Sequence, residues 1–200
     1  MDIFLASGNP HKFEEFVAIL PQDGLKINFH SAEVFGGMPE VEETGSVFEE
    51  NARIKAEALE ELLPLDAWAL ADDSGLMVDA LNGQPGVHSS RYAGPACNAV
   101  ANNIKLLNEL RGVPGEERTA RFKCVLCFKQ KGGPCHFFSG SCEGHILLAP
   151  TGEMGFGYDP LFQPLGYDKS FAELGSAQKN SLSHRGQAIS EWVKFLKSAE

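Results

Sequence analysis

Long apolar runs are missing from this 200-residue chain. Nothing approaches the roughly 18 consecutive apolar residues that a membrane-spanning helix needs, so no membrane partner is expected. Basic residues are scarce: 17 Lys and Arg stand against 27 Asp and Glu, for a formal net charge of −10. Such a surface repels nucleic acid backbones and acidic membranes, so no nucleic acid partner is expected either. The start, "MDIFLASGNPHK", has no basic residues ahead of its short apolar run. A secretory leader is therefore not expected. Five cysteines form no regular framework. Cys124 and Cys127 make a CxxC inside "TARFKCVLCFK", which alternates like a strand, so the two thiols face opposite sides and do not share a metal. Free thiols point to a reducing cytoplasm. The phosphate-binding pattern GxxxxGK[ST] is also absent.

What remains is an ordinary globular composition, 43% hydrophobic and 22% charged. The chain is read as one domain, residues 1–200, long enough to bury roughly 70% of its unfolded surface. Residues 3–6 read as a short buried strand, and Phe13, Phe16, Val17 and Leu20 follow at helical spacing. Ser46 with Glu49 reads as a capping box. It opens a helix whose stripe is Phe48, Ala52, Lys55, Leu59 and Leu62, with Pro64 as its stop. Residues 67–71 read as a strand. Residues 98–111 read as a helix with Val100, Ile104 and Leu107 inward. Residues 119–129 and 135–148 read as paired strands around Gly132-Gly133-Pro134, and residues 149–167 as a Gly/Pro loop. Residues 187–196 close the chain as an amphipathic helix through Ala188, Trp192 and Phe195. Strands and helices interleave, which predicts an α/β fold with helices around a mixed sheet.

The strand at 67–71 runs into two adjacent carboxylates, Asp72 and Asp73. If the strand persists, they point to opposite faces and hold different jobs. One suits a metal ligand or base; the other suits support of a turn. An acidic chain that binds an anion needs local donors and a divalent cation. "SGNPHK" offers such donors: Asn9 as N-cap and Pro10 at the first helical position leave a helix start beside Lys12. Glu42 and Glu43 precede the capping box, and Mg²⁺ takes one or two protein carboxylates together with substrate phosphates. In "GEMGFGYDPLFQP", Phe156 between Gly155 and Gly157 reads as a stacking platform for a flat ring, with Tyr158 and Asp159 as polar tips. Lys179, His184 and Arg185 concentrate positive charge in "QKNSLSHRGQAI". His88, in "GQPGVHSSRYAGP", reads as scaffolding.

The blocks SGNPHK, EETG, ADDSGL, PGVHSSRYAG, GFGYDPLF and SHRGQA, in this order, resemble the inosine triphosphate pyrophosphatase family, its bacterial branch most closely. Ser7 departs from the threonine common there, and His88-Ser89-Ser90 from Tyr-Ser-Ala. The resemblance implies an elongated twisted mixed sheet flanked by helices, two lobes with a central cleft, and a homodimer. It implies hydrolysis of purine nucleoside triphosphates carrying hypoxanthine or xanthine (ITP, dITP, XTP) to the monophosphate and pyrophosphate, with Mg²⁺, or Mn²⁺ in its place. Ser7, Gly8, Asn9, Pro10, His11 and Lys12 would then grip the triphosphate, with Lys12 also easing charge on the leaving group. Glu42 and Asp73 would hold the metal, and Asp73 would take the proton of the attacking water. Ser74 would contact substrate. Phe156, Gly157, Tyr158 and Asp159 would hold the base, and Lys179, His184 and Arg185 would complete the site. Two alternatives stay open from sequence: a pyrimidine nucleotide pyrophosphatase of a related fold, and a nucleotide-binding sensor that does not turn over.

Overall fold

The computed structural model describes residues 1–21 and 25–198. Strand β1 (Asp2–Ala6) is buried over its last four residues and ends at the loop that caps helix α1 (Pro10–Ile19). Asn9 is the N-cap there: its side-chain oxygen accepts from the His11 N–H, and Pro10 starts the helix. Phe16 and Leu20, one turn apart, face inward; Val17 is exposed, against expectation, because it falls off that stripe. Pro21 follows the last turn, and helices stop at such positions because the residue before proline is held extended.

Strand β2 (Asn28–Ser31) pairs in parallel with β1, and helix α2 (Phe48–Glu60) follows after a long connection. Its cap differs from the expected box by one residue. Val47 is the N-cap without a side-chain bond, and the Ser46 N–H and hydroxyl both donate to Glu50 rather than Glu49. Phe48, Ala52, Lys55 and Leu59 form the buried stripe, whereas Leu62 lies beyond the helix end and is exposed. The carbonyls of Glu61 and Leu63 accept from Lys131 Nζ, which satisfies groups a helix end leaves orphaned.

Strand β3 (Trp68–Val78) is longer than the run of apolar letters that announced it, because Asp72 to Gly75 continue it rather than turn. It is buried on both faces for most of its length, the environment of an inner strand. Helix α3 (Ala99–Glu109) buries Asn102 and Leu106, with Leu110 at its end, and leaves Val100 and Ile104 67% and 56% exposed. Two of the three residues expected inward are therefore exposed, while Leu107 is partly buried and packs against the core around Leu106 and Phe122. Residues 100/104 and 102/106/110 are both i, i+4 rows, and packing selects the second, where Leu106 and Leu110 are fully buried in the core.

Strands β4 (Thr119–Gln130) and β5 (Cys135–Ile146) form the expected hairpin, turned by a Gly133 N–H to Gln130 carbonyl bond. The loop expected over 149–167 contains strand β6 (Phe162–Pro164), antiparallel to β5. Helices α4 (Ser176–Leu182) and α5 (His184–Ser198) close the chain. The described strands form a six-stranded mixed sheet in the order β2-β1-β3-β4-β5-β6, with β1 parallel to both its neighbours.

Two compact units emerge, each with its own core. Unit 1 comprises Met1–Asp73, Cys124–Gly140 and Arg185–Glu200. Phe16, Leu70, Phe128, Ile189 and Trp192 centre its core, where the Trp68 ring stacks on Phe128 at 4.3 Å. Unit 2 comprises Ser74–Lys123 and Ser141–His184. Leu76, Leu106, Phe122, Phe162 and Phe171 centre its core. Cys124 and Cys127 are both buried in β4, and none of the five cysteines is in a disulfide. No described helix is long and apolar enough to cross a membrane.

Candidate functional site

The extended backbone of β3 sends the side chains of Asp72 and Asp73 to opposite faces. Asp72 is fully buried. Its carboxylate accepts from Lys12 Nζ at 2.5 Å and from Arg185 Nε at 2.9 Å, with Cys124 Sγ 3.3 Å away. Lys12 Nζ also donates to the Asp72 carbonyl at 3.3 Å. A terminal guanidinium nitrogen of Arg185 bonds the Glu15 carboxylate on α1. Burial pushes the Asp72 carboxyl up, but Arg185 and Lys12 outweigh it and hold the group well below the usual carboxylate range. Burial likewise works against the Arg185 cation, and Asp72 with Glu15 carries its pKa above the ordinary value. The expected role of Asp72, support of a turn, is corrected: the strand has no turn there, and Asp72 ties α1 to the start of α5.

Asp73 meets different partners. Its Oδ1 accepts from Lys55 Nζ at 2.6 Å, and that ammonium lies 3.5 Å from Glu43. Its Oδ2 is buried with no hydrogen-bond partner among the described residues. Burial raises the Asp73 carboxyl above its ordinary value, and Lys55 only partly reverses the shift. Burial pulls Lys55 down, but Asp73 and Glu43 carry it above the usual lysine value. The amide of Asn51, on α2, accepts from the Gly45 N–H at 2.8 Å and so fixes the Glu42-Glu43 loop to that helix. A side chain at Gly45 would collide with that amide oxygen. Glu42, the expected partner of Asp73, has an exposed side chain; Glu43 is the acid that Lys55 joins to Asp73.

The Ser7–Lys12 segment is partly self-occupied. Asn9 N–H donates to Ser7 Oγ and His11 N–H to Asn9 Oδ1, so two of the expected phosphate donors are engaged within the loop. Gly8, Pro10 and His11 are exposed, and His11 lies 3.5 Å from Glu14. Ser74, partly buried, follows Asp73 directly and begins unit 2.

In unit 2 the glycine loop is built around one carboxylate. Gly155 and Gly157 sit at φ +79° and +64°, conformations that favour glycine. The Phe156 N–H donates to Asp159 Oδ2 at 2.8 Å, and Lys179 Nζ donates to the same oxygen at 2.7 Å. A Cβ on Gly155 would fall on this carboxylate. Lys179 lies 5.0 Å from the Phe156 ring centroid and 5.9 Å from that of Phe171. The polar tips expected of Tyr158 and Asp159 are corrected: both are buried, and the Tyr158 hydroxyl donates to the Ser89 carbonyl at 2.8 Å. Burial pushes that phenol well above its ordinary value. His184 is buried and stacks on Phe122 at 4.8 Å, the two rings nearly parallel. Its neighbour Arg185 belongs to unit 1, so the two residues expected to act together are anchored in different surroundings. His88 is exposed in a 3-10 turn.

The residues around Asp73 fit a divalent cation with few protein ligands. No three described His, Cys, Asp or Glu side chains cluster as a metal cage. Mg²⁺ needs none, because it takes one or two carboxylates and completes its shell with phosphate and water. The buried, unmet Asp73 Oδ2 is an acceptor of that kind. Sequence reasoning overlooked Lys55 and Glu15 as parts of these clusters. Lys55 had a signal: a lysine within an otherwise apolar helical stripe. Glu15 had none beyond its position one turn from Lys12.

Comparison with known proteins agrees with this architecture. The chain is 49% identical over 199 residues to the dITP/XTP pyrophosphatase of Opitutus terrae, covering 96% of this chain and 98% of that one. It is 44% identical to the dITP/XTP pyrophosphatase of Bacillus subtilis, covering 98% of each. Its structure superposes on the Ham1 protein of Staphylococcus aureus with a TM-score of 0.87 at 40% identity, covering 100% of both chains. The Ham1 protein of Coxiella burnetii gives 0.88 at 40% identity over 99% of both. The family model matches residues 3–195, and the chain belongs to the Ham1 family.

Proposed function

We propose that this chain hydrolyses non-standard purine nucleoside triphosphates such as dITP, ITP and XTP to the monophosphate and pyrophosphate, in the cytoplasm and as a homodimer. The similar proteins named dITP/XTP pyrophosphatases support the reaction. The observation that carries the site is Asp73: a buried carboxylate whose proton affinity burial has raised, with one oxygen on Lys55 and the other unmet.

Asp73 takes the proton of a water whose oxygen attacks the α-phosphorus. The bond from that phosphorus to the α–β bridging oxygen breaks, and pyrophosphate leaves. A raised carboxyl is a better proton acceptor than an ordinary one. Lys12, steadied by Asp72, offers its ammonium to the phosphates from the start of α1. Asp73 and Glu42 would hold Mg²⁺, which when bound supplies positive charge to the phosphate oxygens. Phe156 offers a ring face to the base, braced by Lys179. Ser74 and the first turn of α1 complete the substrate contacts. His184 and Arg185 set the preference for a 6-keto purine: a keto oxygen accepts where the adenine amino group donates, and mismatched buried donors cost roughly 1–3 kcal/mol each.

The decisive experiment is kcat/KM for ITP, XTP, GTP and ATP, with product identification and with chelator added. ITP and XTP are expected to lead ATP by more than tenfold, on the scale of hydrogen-bond discrimination. Activity is expected to vanish in excess chelator and return with Mg²⁺. Equal efficiency on ATP and ITP would remove the selectivity, and full turnover in chelator would remove the metal.

A further inference from the structure

Helix α3, within unit 2, carries two consecutive asparagines, Asn102 and Asn103, and they are treated differently by their surroundings. Asn102 is buried and its amide is fully used. Its Oδ1 accepts from Ala93 N–H at 2.7 Å, and its Nδ2 donates to the carbonyls of Ser90 and Ser89 at 2.8 and 3.3 Å. That is a structural lock on the turn before α3. Asn103 makes one bond: its Nδ2 donates to the Gly157 carbonyl at 3.0 Å. Its Oδ1 is buried with no hydrogen-bond partner among the described residues.

A stabilising role does not account for that geometry. One neutral hydrogen bond gains about as much as one buried, unmet acceptor loses. The net contribution of Asn103 to folding is therefore near zero, and an apolar side chain of similar size would serve equally well. What the amide does achieve is local. Gly157 follows Phe156, and both glycines beside that ring occupy positive φ, where the chain is easily moved. The loop's other anchors gather on Asp159 and Tyr158: Lys179 and the Phe156 N–H on the Asp159 carboxylate, the Ala172 N–H on the Asp159 carbonyl, and the Tyr158 hydroxyl on Ser89. Asn103 grips the backbone itself, one residue from the ring.

We propose that Asn103 is a positioning residue for base binding: its amide holds the Gly157 carbonyl and so sets where the Phe156 ring stands. This rests on the reading of residues 155–159 as the seat of the base.

The test compares wild type with Asn103→Leu and Asn103→Asp. Leu removes both the bond and the unmet oxygen; Asp keeps the size and loses the donor. Both variants are expected to raise KM for ITP about three- to tenfold, the worth of one hydrogen bond, with kcat little changed. Inorganic tripolyphosphate, which carries no base, serves as a competitive inhibitor, and its Ki is expected to stay at the wild-type value. Thermal stability of Asn103→Leu is expected to match wild type, whereas Asn102→Leu loses stability. An unchanged KM in Asn103→Leu, wild-type behaviour of Asn103→Asp, or an equal rise in KM and tripolyphosphate Ki would each overturn the proposal. A wild-type protein inactive on ITP would instead sink the functional reading. Amide exchange over residues 156–159 then decides the tether by itself: faster exchange in Asn103→Leu upholds it, and unchanged exchange rejects it.

Discussion

In unit 1, Asp72 meets Lys12 and Arg185 and Asp73 meets Lys55; in unit 2, Asp159 meets Lys179 beside an aromatic ring. The first arrangement joins four carboxylates, Glu15, Glu43, Asp72 and Asp73, to three cations, Lys12, Lys55 and Arg185. It carries more carboxylates than cations and leaves Asp73 Oδ2 without a hydrogen-bond partner among the described residues, as the proposed cation and polyphosphate site requires. The second sets Asp159 against Lys179 beside the rings of Phe156 and Phe171, a less charged setting that the proposed seat of a flat base calls for. Buried charge is thus arranged differently in the two units: several carboxylates share cations in the first, and one carboxylate faces a lysine beside aromatic rings in the second.

The comparison breaks most visibly at Asp72. Asp72→Asn strands Lys12 and a buried Arg185, and removing one partner of such a cluster costs about 3–5 kcal/mol. Urea unfolding is expected to show that loss at neutral pH. Because the folded pKa lies below the unfolded value of about 3.9, the contribution is complete above that value. It disappears as pH falls through the folded value, so wild type and variant converge in acid. A constant gap down to pH ~2 would show that charge is not the cause.

Asp73→Asn is the next largest effect, and it falls on chemistry instead. A loss in kcat of about 10²-fold or more is expected, the scale of losing a general base. The raised carboxyl also predicts an acid limb in the wild-type pH–rate profile, displaced upward from the ordinary carboxylate near 3.9. Residual activity in Asp73→Asn should lack that limb. If Asp72→Asn is inactive yet stable while Asp73→Asn turns over, the roles are reversed.

Smaller effects sharpen the contrast. Lys12→Ala is expected to weaken triphosphate binding about tenfold, as one charge-assisted hydrogen bond does, while the fold survives. Phe156→Ala should raise KM for every base alike, by the roughly 1–3 kcal/mol that stacking contributes, without reordering ITP, XTP, GTP and ATP. A reordered series would mean that the ring reads the base rather than only carrying it.

Legibility in the sequence followed the range of the physics. The Asn9 cap and Pro10 were readable because a cap is decided within three residues. The opposite faces of Asp72 and Asp73 were readable because strand periodicity is local. The α3 face was not, since Val100/Ile104 and Leu106/Leu110 repeat with the same period and only packing distinguishes them. Strands β2 and β6 were too short, at four and three residues, to show alternation. The motifs did signal where polar groups gather. They could not show that Lys12 and Arg185 meet on Asp72, because those bonds close over 60 and 113 residues.

The placement of Asp72 and Asp73 on a single continuous strand also limits how this chain can vary in length. Side chains on a strand alternate strictly, so adding or losing one residue ahead of Asp72 without a compensating bulge exchanges the two faces. The carboxylate now locked by Lys12 and Arg185 would be replaced by one facing Lys55, and the other way round. Point substitutions weaken one role at a time. A one-residue insertion or deletion within residues 68–71 would exchange both faces at once, making that four-residue stretch the least tolerant of length change in the site.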